Sequence, residues 1–299
     1  MSLPHTVTTL TCPNGSVVHV VGTVHFSKES VQDVRNTIAS TRPQVVVLEL
    51  CKDRQLILHY SEEDILRQGQ SMSFSTVRNF VQRDGVVAGL TQSLFLQMSA
   101  KITAQLGVAP GGEFRAGFEE ATKVNAGVVL GDRSVGITFK RAMAAMSLWK
   151  RIHLGLTLLR TLGSGLEISP EEVEAMREKD MVSMLVGELA AEMPAVAEVF
   201  VQERDKILAC SLMRAANCAQ EPWGPPAVVV GVVGIGHIPG IQAHWLDLQC
   251  LAQLRELLQV PVPSRTSRVV WTAVKIGTGM GLVGLTAFGV YSIIRHFTK

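Results

Sequence analysis

Val20-Val21-Gly22-Thr23-Val24-His25, near the start of the chain, returns near its end as Val232-Val233-Gly234-Ile235-Gly236-His237. Each copy closes an apolar, β-branched run, turns at a glycine and delivers a histidine three residues later. Such runs read as strands buried on both faces of a sheet. Open α/β sheets place their ligand groups just beyond strand ends of this kind. Two of them would bring two imidazoles to one sheet edge although the sequence holds them far apart. A lone Gly-x-x-His carries little weight, and ordinary histidines at strand ends are the competing reading. The repetition points instead to a shared metal or acid/base site.

Outward from the first copy, residues 16–22 read as a strand. Ser27 is then a candidate N-cap for a helix with Val31, Val34 and Ile38 on one face. After Pro43, residues 44–50 read as a second buried strand, so the three pieces form a βαβ-like unit. A mostly helical middle follows over 53–67, 75–106 with breaks, 113–123 and an apolar segment 139–162. Residues 125–132 read as a third strand. Ser169-Pro170-Glu171-Glu172 is a capping-box pattern opening a helix toward Leu189, and Pro194 opens another toward Cys218. After a loop at Trp223-Gly224-Pro225-Pro226, residues 227–234 form the fourth strand and 245–258 a last amphipathic helix. The expected fold class is α/β: a mixed or parallel sheet with paired strand–Gly-x-x-His units, a large helical insertion and a C-terminal transmembrane helix. The expected organisation is an α/β domain over 1–260, a basic linker over 261–275 and an anchor over 276–294.

Composition narrows the function. Hydrophobic residues make up 47% and charged residues 18%, enough for a core and unlike a disordered chain. A net charge of +2 without a basic block excludes nucleic acid as the expected partner. Cys12, Cys51, Cys210, Cys218 and Cys250 are odd in number and include no Cys-x-x-Cys, which argues for a reducing compartment and against a disulfide framework or cysteine zinc site.

The C-terminal stretch IGTGMGLVGLTAFGVYSII, between Lys275 and Arg295, has no charged residue. As a helix it would rise about 28 Å, close to the hydrocarbon thickness of a bilayer. Arg265, Arg268 and Lys275 precede it and Arg295, His296 and Lys299 follow, with Trp271 and Tyr291 near the ends. A buried core helix is the alternative, but five glycines are poor material for one in water. Gly277-x-x-x-Gly281 offers a surface for homo-oligomerisation through the span. The N-terminal MSLPHTVTTLTCPNG has the pattern of neither a signal peptide nor a transit sequence. The expectation is a tail anchor with the body facing the cytosol, at the mitochondrial outer membrane, with the endoplasmic reticulum membrane as the alternative.

Several charged residues qualify as site candidates. Glu49 sits inside the apolar run VVVLEL, where a carboxylate is costly without a partner. Either it points outward or pairs with a neighbour such as Arg54, or it serves as a ligand or base beside the first histidine. Glu113 and Arg115 stand at the start of a helix after Gly111-Gly112, whereas Glu119 and Glu120 read as surface charges. Asp132 and Arg133 follow a strand, where a sheet-edge site competes with a simple turn. Glu203-Arg204-Asp205 falls within a helix and reads as a charged face as readily as a site.

Taken in order, GTVHFS at 22–27, VVLELC at 46–51, EFRAGFEEA at 113–121, GDRSVGITFKRA at 131–142, ERD at 203–205 and GIGH at 234–237 resemble the TraB/PrgY/GumN family, in particular its eukaryotic branch. The resemblance covers roughly 16–260. It implies a relationship to membrane-tethered metalloproteases that use paired Gly-x-x-His motifs and carboxylates, and to proteins of peptide-pheromone shutdown. A wider relationship reaches erythromycin esterases and a haem-binding lipoprotein. Carried over by position, it makes His25 and His237 metal ligands or an acid/base pair, with Glu49 beside them and Glu113, Arg115, Asp132, Arg133 and Glu203 next. The tethered proteases act outside the cell, whereas this chain is expected to face the cytosol.

The chemistry expected from this set is hydrolysis of an amide or ester bond in a peptide or protein substrate. Two neutral imidazoles and a carboxylate suit zinc, manganese, iron or cobalt. A second carboxylate would take the proton and Arg115 or Arg133 would steady an oxyanion. The rival expectations are a tail-anchored scaffold or organelle-contact adaptor, and a haem binder using one histidine as axial ligand.

Overall fold

The computed structural model describes residues 3–24, 27–59, 74–84, 89, 93, 111–164, 191, 193–219 and 225–261. Five strands form one sheet in the order β1-β2-β5-β3-β4, comprising β1 Val7–Thr11, β2 Val17–Thr23, β3 Val45–Leu48, β4 Gly127–Leu130 and β5 Val228–Gly234. β1 runs antiparallel to β2, and every other pairing is parallel. The sheet is therefore mixed, within an α/β fold.

Alternation along the strands assigns side chains to two faces. Val18, Val20, Val47, Val229 and Val233 pack against Leu208, Ala209 and Leu212 of helix α6 (Glu203–Ala219). Val21, Val46, Leu48, Val230 and Val232 pack on the other face against Val34 and Ile38 of α1 (Lys28–Thr41) and Phe114, Ala116 and Ala121 of α3 (Gly112–Lys123). The central strands are covered on both sides, which is why they read as nearly unbroken valine. At Gly231 a Cβ would lie 2.7 Å from Leu212 Cδ2, so glycine lets α6 lie close to β5.

Chain direction fixes where function can sit. β2, α1, β3, α3 and β4 follow one another with both helices on one face. The chain then returns through α6 on the other face and inserts β5 between β2 and β3. This insertion corrects the expectation that the first two valine strands are neighbours. Glu49 lies beside β5, its N–H donating to Val232 O at 3.0 Å. The same return makes β5 the switch point of the sheet, and open α/β sheets bind their ligands at the carboxyl end of such a strand.

The helix over 28–41 starts at Ser27 as expected, the hydroxyl accepting from Ser30 N at 3.1 Å. Elsewhere the elements differ from expectation. The helix expected from residue 53 is a 3₁₀ segment, Lys52–Leu58, within the described residues. The helix expected over 75–106 is described as α2, Phe74–Asp84, and the rest of that range lies outside except residues 89 and 93. The apolar segment 139–162 falls into α4, Val135–Ala145, and α5, Leu148–Ser164, because Met146 adopts extended backbone (φ −90°, ψ 146°). A single turn at Pro194–Ala197 and a π-helical turn at Glu198–Gln202 lead into α6. The last expected helix, 245–258, is α8, Leu248–Leu257, and a short helix that was not expected, α7, Ile238–Ala243, precedes it. β1 went unforeseen: its five residues carry three threonines and too short an apolar signal to stand out.

Residues 1–260 form one compact unit. The capping box at Ser169, most of the linker 261–275 and the expected anchor over 276–294 lie outside the described residues. Among the described residues no helix is long and apolar enough to cross a membrane.

Candidate functional site at the carboxyl edge of the sheet

The carboxyl ends of β2, β5, β3 and β4 share one edge of the sheet. Just past β3, Glu49 is 6% exposed, and its Oε2 accepts from Gly234 N at 2.6 Å. Its Oε1 accepts from the Arg204 guanidinium and stands 3.2 Å from His237 Nε2. Beyond β5 the chain makes one 3₁₀ turn, Ile235–His237, which brings the His237 ring back over the sheet edge. His237 Nδ1 meets Asp205 Oδ1 at 2.5 Å, so the imidazole bridges two carboxylates. A Cβ at Gly240 would fall 2.0 Å from Asp205 Oδ2, so the backbone of α7 admits Asp205 only because residue 240 has no side chain.

Past β4, Asp132 is held by its N–H donating to Leu50 O at 3.1 Å. Its carboxylate accepts from Arg204 Nε at 3.1 Å and from the guanidinium terminus at 2.8 Å. Arg204 thus ties the ends of β3 and β4 from α6. The end of β2 belongs to the same edge, because Thr23 pairs with Gly234 in parallel register. Each of these residues closes its strand within its Gly-x-x-His motif, and His25 itself lies outside the described residues. At Gly22 a Cβ would meet Ile235 and Ile238 Cγ1 at 3.3 Å, so the two turns are packed tightly together.

Charge explains how this set persists in the interior. Burial works against ionising Glu49, yet Arg204 and His237 hold its carboxyl well below the ordinary range. Burial likewise opposes a charged His237; the Glu49 charge and the bonds to Asp205 and Glu49 outweigh it, and its pKa is pushed up to about 9. Desolvation also opposes the Arg204 charge, but Asp132 and Glu49 raise its pKa above the ordinary value. His237 is therefore an imidazolium at neutral pH in the metal-free protein.

A second group of charges backs the first. Arg133 is 2% exposed and donates to Glu203 at 2.5 Å, Val199 O at 2.7 Å, Thr138 Oγ1 at 2.9 Å and Leu257 O at 3.0 Å. Arg141 donates twice to Glu203, at 2.6 and 2.8 Å, and to the Glu256 and Gln259 carbonyls at 3.1 and 2.8 Å. Burial opposes the charge of Glu203, while the two arginines hold its pKa below the ordinary value. The guanidinium groups also satisfy carbonyls at the end of α8, which lack helical partners. Glu49, Asp132, Asp205 and Glu203 thus face Arg204, Arg133, Arg141 and protonated His237, four charges of each sign.

The sequence candidates divide accordingly. Glu49, Asp132 and His237 meet in one group. Arg133 and Glu203 form the adjoining clamp, and four of the five Arg133 donors are spent on protein acceptors. Glu113, 2% exposed, and half-buried Arg115 stand on the first turn of α3. That turn lies at the same carboxyl edge, because α3 leads into parallel β4. Three readings need correction. Glu49 pairs with Arg204 rather than Arg54. Residues 203–205 are an inward group, not a solvated face. Glu120 is 8% exposed and pairs with Arg35 at 2.8 Å and Lys123 at 2.7 Å, pinning α3 to α1. Arg204 and Asp205 escaped the candidate set. Their one signal was three consecutive charges in a helix otherwise rich in apolar residues.

The donor chemistry bears on a metal. Glu49 Oε1 and His237 Nε2 converge, and Asp205 on Nδ1 is the outer carboxylate that commonly orients a metal-binding histidine. Two donors fall short of the three protein ligands of a catalytic zinc. Among the described residues no group of three or more His, Cys, Asp or Glu is placed to hold a metal ion. The described pair offers two of the donors that such a site needs.

Comparison with known proteins agrees with this architecture. The model of the TraB/PrgY/gumN family matches residues 7–251. A TraB domain-containing protein of Bos taurus is 42% identical over 302 residues, covering 97% of this chain and 77% of its own length. That of Homo sapiens is 42% identical over 299 residues, covering 96% and 77%. An uncharacterized protein of Methanocaldococcus jannaschii is 26% identical over 239 residues, covering 78% of this chain and 54% of its own length. With the ordered motifs gathered on one sheet edge, the chain belongs to the TraB/PrgY/gumN family.

Proposed function

We propose that the chain is a metal-dependent hydrolase of amide or ester bonds, peptidase-like, with its site at the carboxyl edge of the sheet. The observation that carries the reading is the convergence of Glu49 Oε1 and His237 Nε2, 3.2 Å apart, with the ring held from behind by Asp205. Glu49, His237 and His25 would hold zinc, manganese, iron or cobalt. A divalent ion there supplies Lewis acidity and lowers the pKa of water toward about 7.

The chain's own residues take the other roles. Asp205 accepts from Nδ1, which leaves Nε2 as the ring atom facing Glu49. Arg204 and Gly234 N fix the Glu49 carboxylate beside His237. Glu113 is the second carboxylate, taking and returning a proton. Arg115, on the first turn of α3 at the same edge, steadies the developing oxyanion. The site would work facing the cytosol from the mitochondrial outer membrane, or from the endoplasmic reticulum membrane, on a tail anchor over 276–294. The hydrolase reading is tested with the full chain in detergent on a panel of peptides and esters. Metal-stimulated turnover is expected to fall at least a hundredfold in His237→Ala, His25→Ala and Glu49→Gln, and turnover surviving both histidine changes would rule the mechanism out.

A second reading has its own observation. Four charges of each sign close without a metal once His237 is protonated, and among the described residues no buried side-chain nitrogen or oxygen lacks a partner. A non-enzymatic tail-anchored scaffold that keeps the group as an internal pin would need no more than this.

A further inference from the structure

Helix α5, Leu148–Ser164, turns an apolar stripe away from the body of its own unit. Trp149 is 77% exposed, Ile152 48% and Leu156 51%, and their spacing of three and four places them on one side of the helix. The side facing the body is identified by Leu154, packed against the cluster of Ala142, Met146, Val196 and Val199, and by Arg151, which donates to Met146 O at 2.9 Å. Lys150, His153 and Arg160 are exposed on the same helix, Arg160 continuing the row of Ile152 and Leu156 and Lys150 lying about 100° round from Trp149. Between Asp132 and Glu167 the chain carries no acidic residue. Of its lysines and arginines there, Arg133 and Arg141 are tied to Glu203 and Arg151 to backbone carbonyls, which leaves Lys150 and Arg160 as the exposed cations of α5.

We propose that α5 lies on the surface of an anionic bilayer, its stripe among the acyl-chain ends and its lysine and arginine at the lipid phosphates. Helices that lie in the interface combine a cationic flank with a Trp- and Leu-bearing face. Tryptophan is the residue that most favours the interfacial zone, and Trp149 is the most exposed of the large hydrophobic side chains described. The charge favours this occupant over a second copy of the chain, since two such helices face to face would set cation against cation. A lipid surface offers phosphates at the height where Lys150 and Arg160 would sit. The proposal adds a contact to the anchor reading but does not depend on it: a tail anchor would raise the local lipid concentration, and α5 would set which side of the unit meets the bilayer.

The test uses the full chain with Cys218 and Cys250 replaced by serine and an environment-sensitive fluorophore at Ile152→Cys or, as control, at exposed Ala39→Cys on α1. The chain is mixed with phosphatidylcholine vesicles with or without phosphatidylserine. The expected result is a blue-shifted label at 152, quenched from within the bilayer, in the anionic vesicles alone, while the label at 39 stays aqueous. Trp149→Ala/Leu156→Asp is expected to weaken that signal at least tenfold with helix content unchanged. Two results would overturn the proposal: a water-exposed label at 152 in vesicles that hold the chain, or a label already shielded without lipid, which would mean that protein covers the stripe. Resistance of the chain to alkaline extraction reports the anchor separately. If the chain washes off, the anchor reading fails, while the signal at 152 still decides the case of α5.

Discussion

Replacing His237 by glutamine removes one buried positive charge that faces Glu49 and Asp205. The imidazole rises from an ordinary pKa of 6.5 to about 9 in the folded protein. The folded state therefore keeps a proton that the unfolded chain gives up near 6.5. Its stabilisation is fully present below pH 6.5 and is lost as pH rises through 9. That rise corresponds to about 3 kcal/mol of stabilisation. Urea unfolding of the full chain, with metal chelated and detergent present, measures it at a series of pH values from 6 to 10. The stability gap between the native chain and His237→Gln is expected to be widest near pH 6 and to narrow by about 3 kcal/mol by pH 10. Taking the gap between the two proteins cancels the other groups that titrate in this range. Histidine-selective NMR gives the site directly. A constant gap across the range, or a His237 resonance titrating near 6.5, would refute the buried imidazolium.

Arg204→Met strands Glu49 and Asp132 without their shared cation, so thermal or urea unfolding is expected to show a loss of about 3–5 kcal/mol. Gly240→Ala drives a methyl group into Asp205, so the His237 pKa is expected to fall toward 6.5, by histidine NMR, with stability lowered by about 1–3 kcal/mol. Arg133→Lys is expected to lower stability while turnover per folded molecule stays within about threefold of the native chain, because its guanidinium binds Glu203 and carbonyls rather than a substrate. A metal entering at His237 Nε2 must displace its proton. Apparent affinity by competitive chelation is therefore expected to rise about tenfold per pH unit from 7 to 9 and then level off.

The valine strands and their glycine turns were legible because a two-sided buried strand leaves an apolar run that little else produces, and Ser27 because an N-cap is a local device. The insertion of β5 between β2 and β3 was not legible, since nothing near Glu49 announces a strand from the other end of the sequence. The same gap hid Arg204. Glu49 is unaccountable in its run without a cation, but the cation lies 155 positions away on a helix across the sheet. Arg133 looked like a site residue because it follows Asp132 at a strand end. Adjacent residues there point apart, so Asp132 turns to Arg204 and Arg133 to the end of α8. Asp205 was hidden by company, lying beside two other charges in a helix whose inward face could be told only from its packing.

Metal content of the purified full chain, compared with the His25→Ala/His237→Ala double variant after reconstitution at pH 8, tests the proposed metal site most directly. The expected result is close to one transition-metal ion per native chain and none in the variant, with helix content the same in both. No metal in either protein, or equal metal in both, would contradict a metal site at this edge and leave the charge cluster as a structural pin.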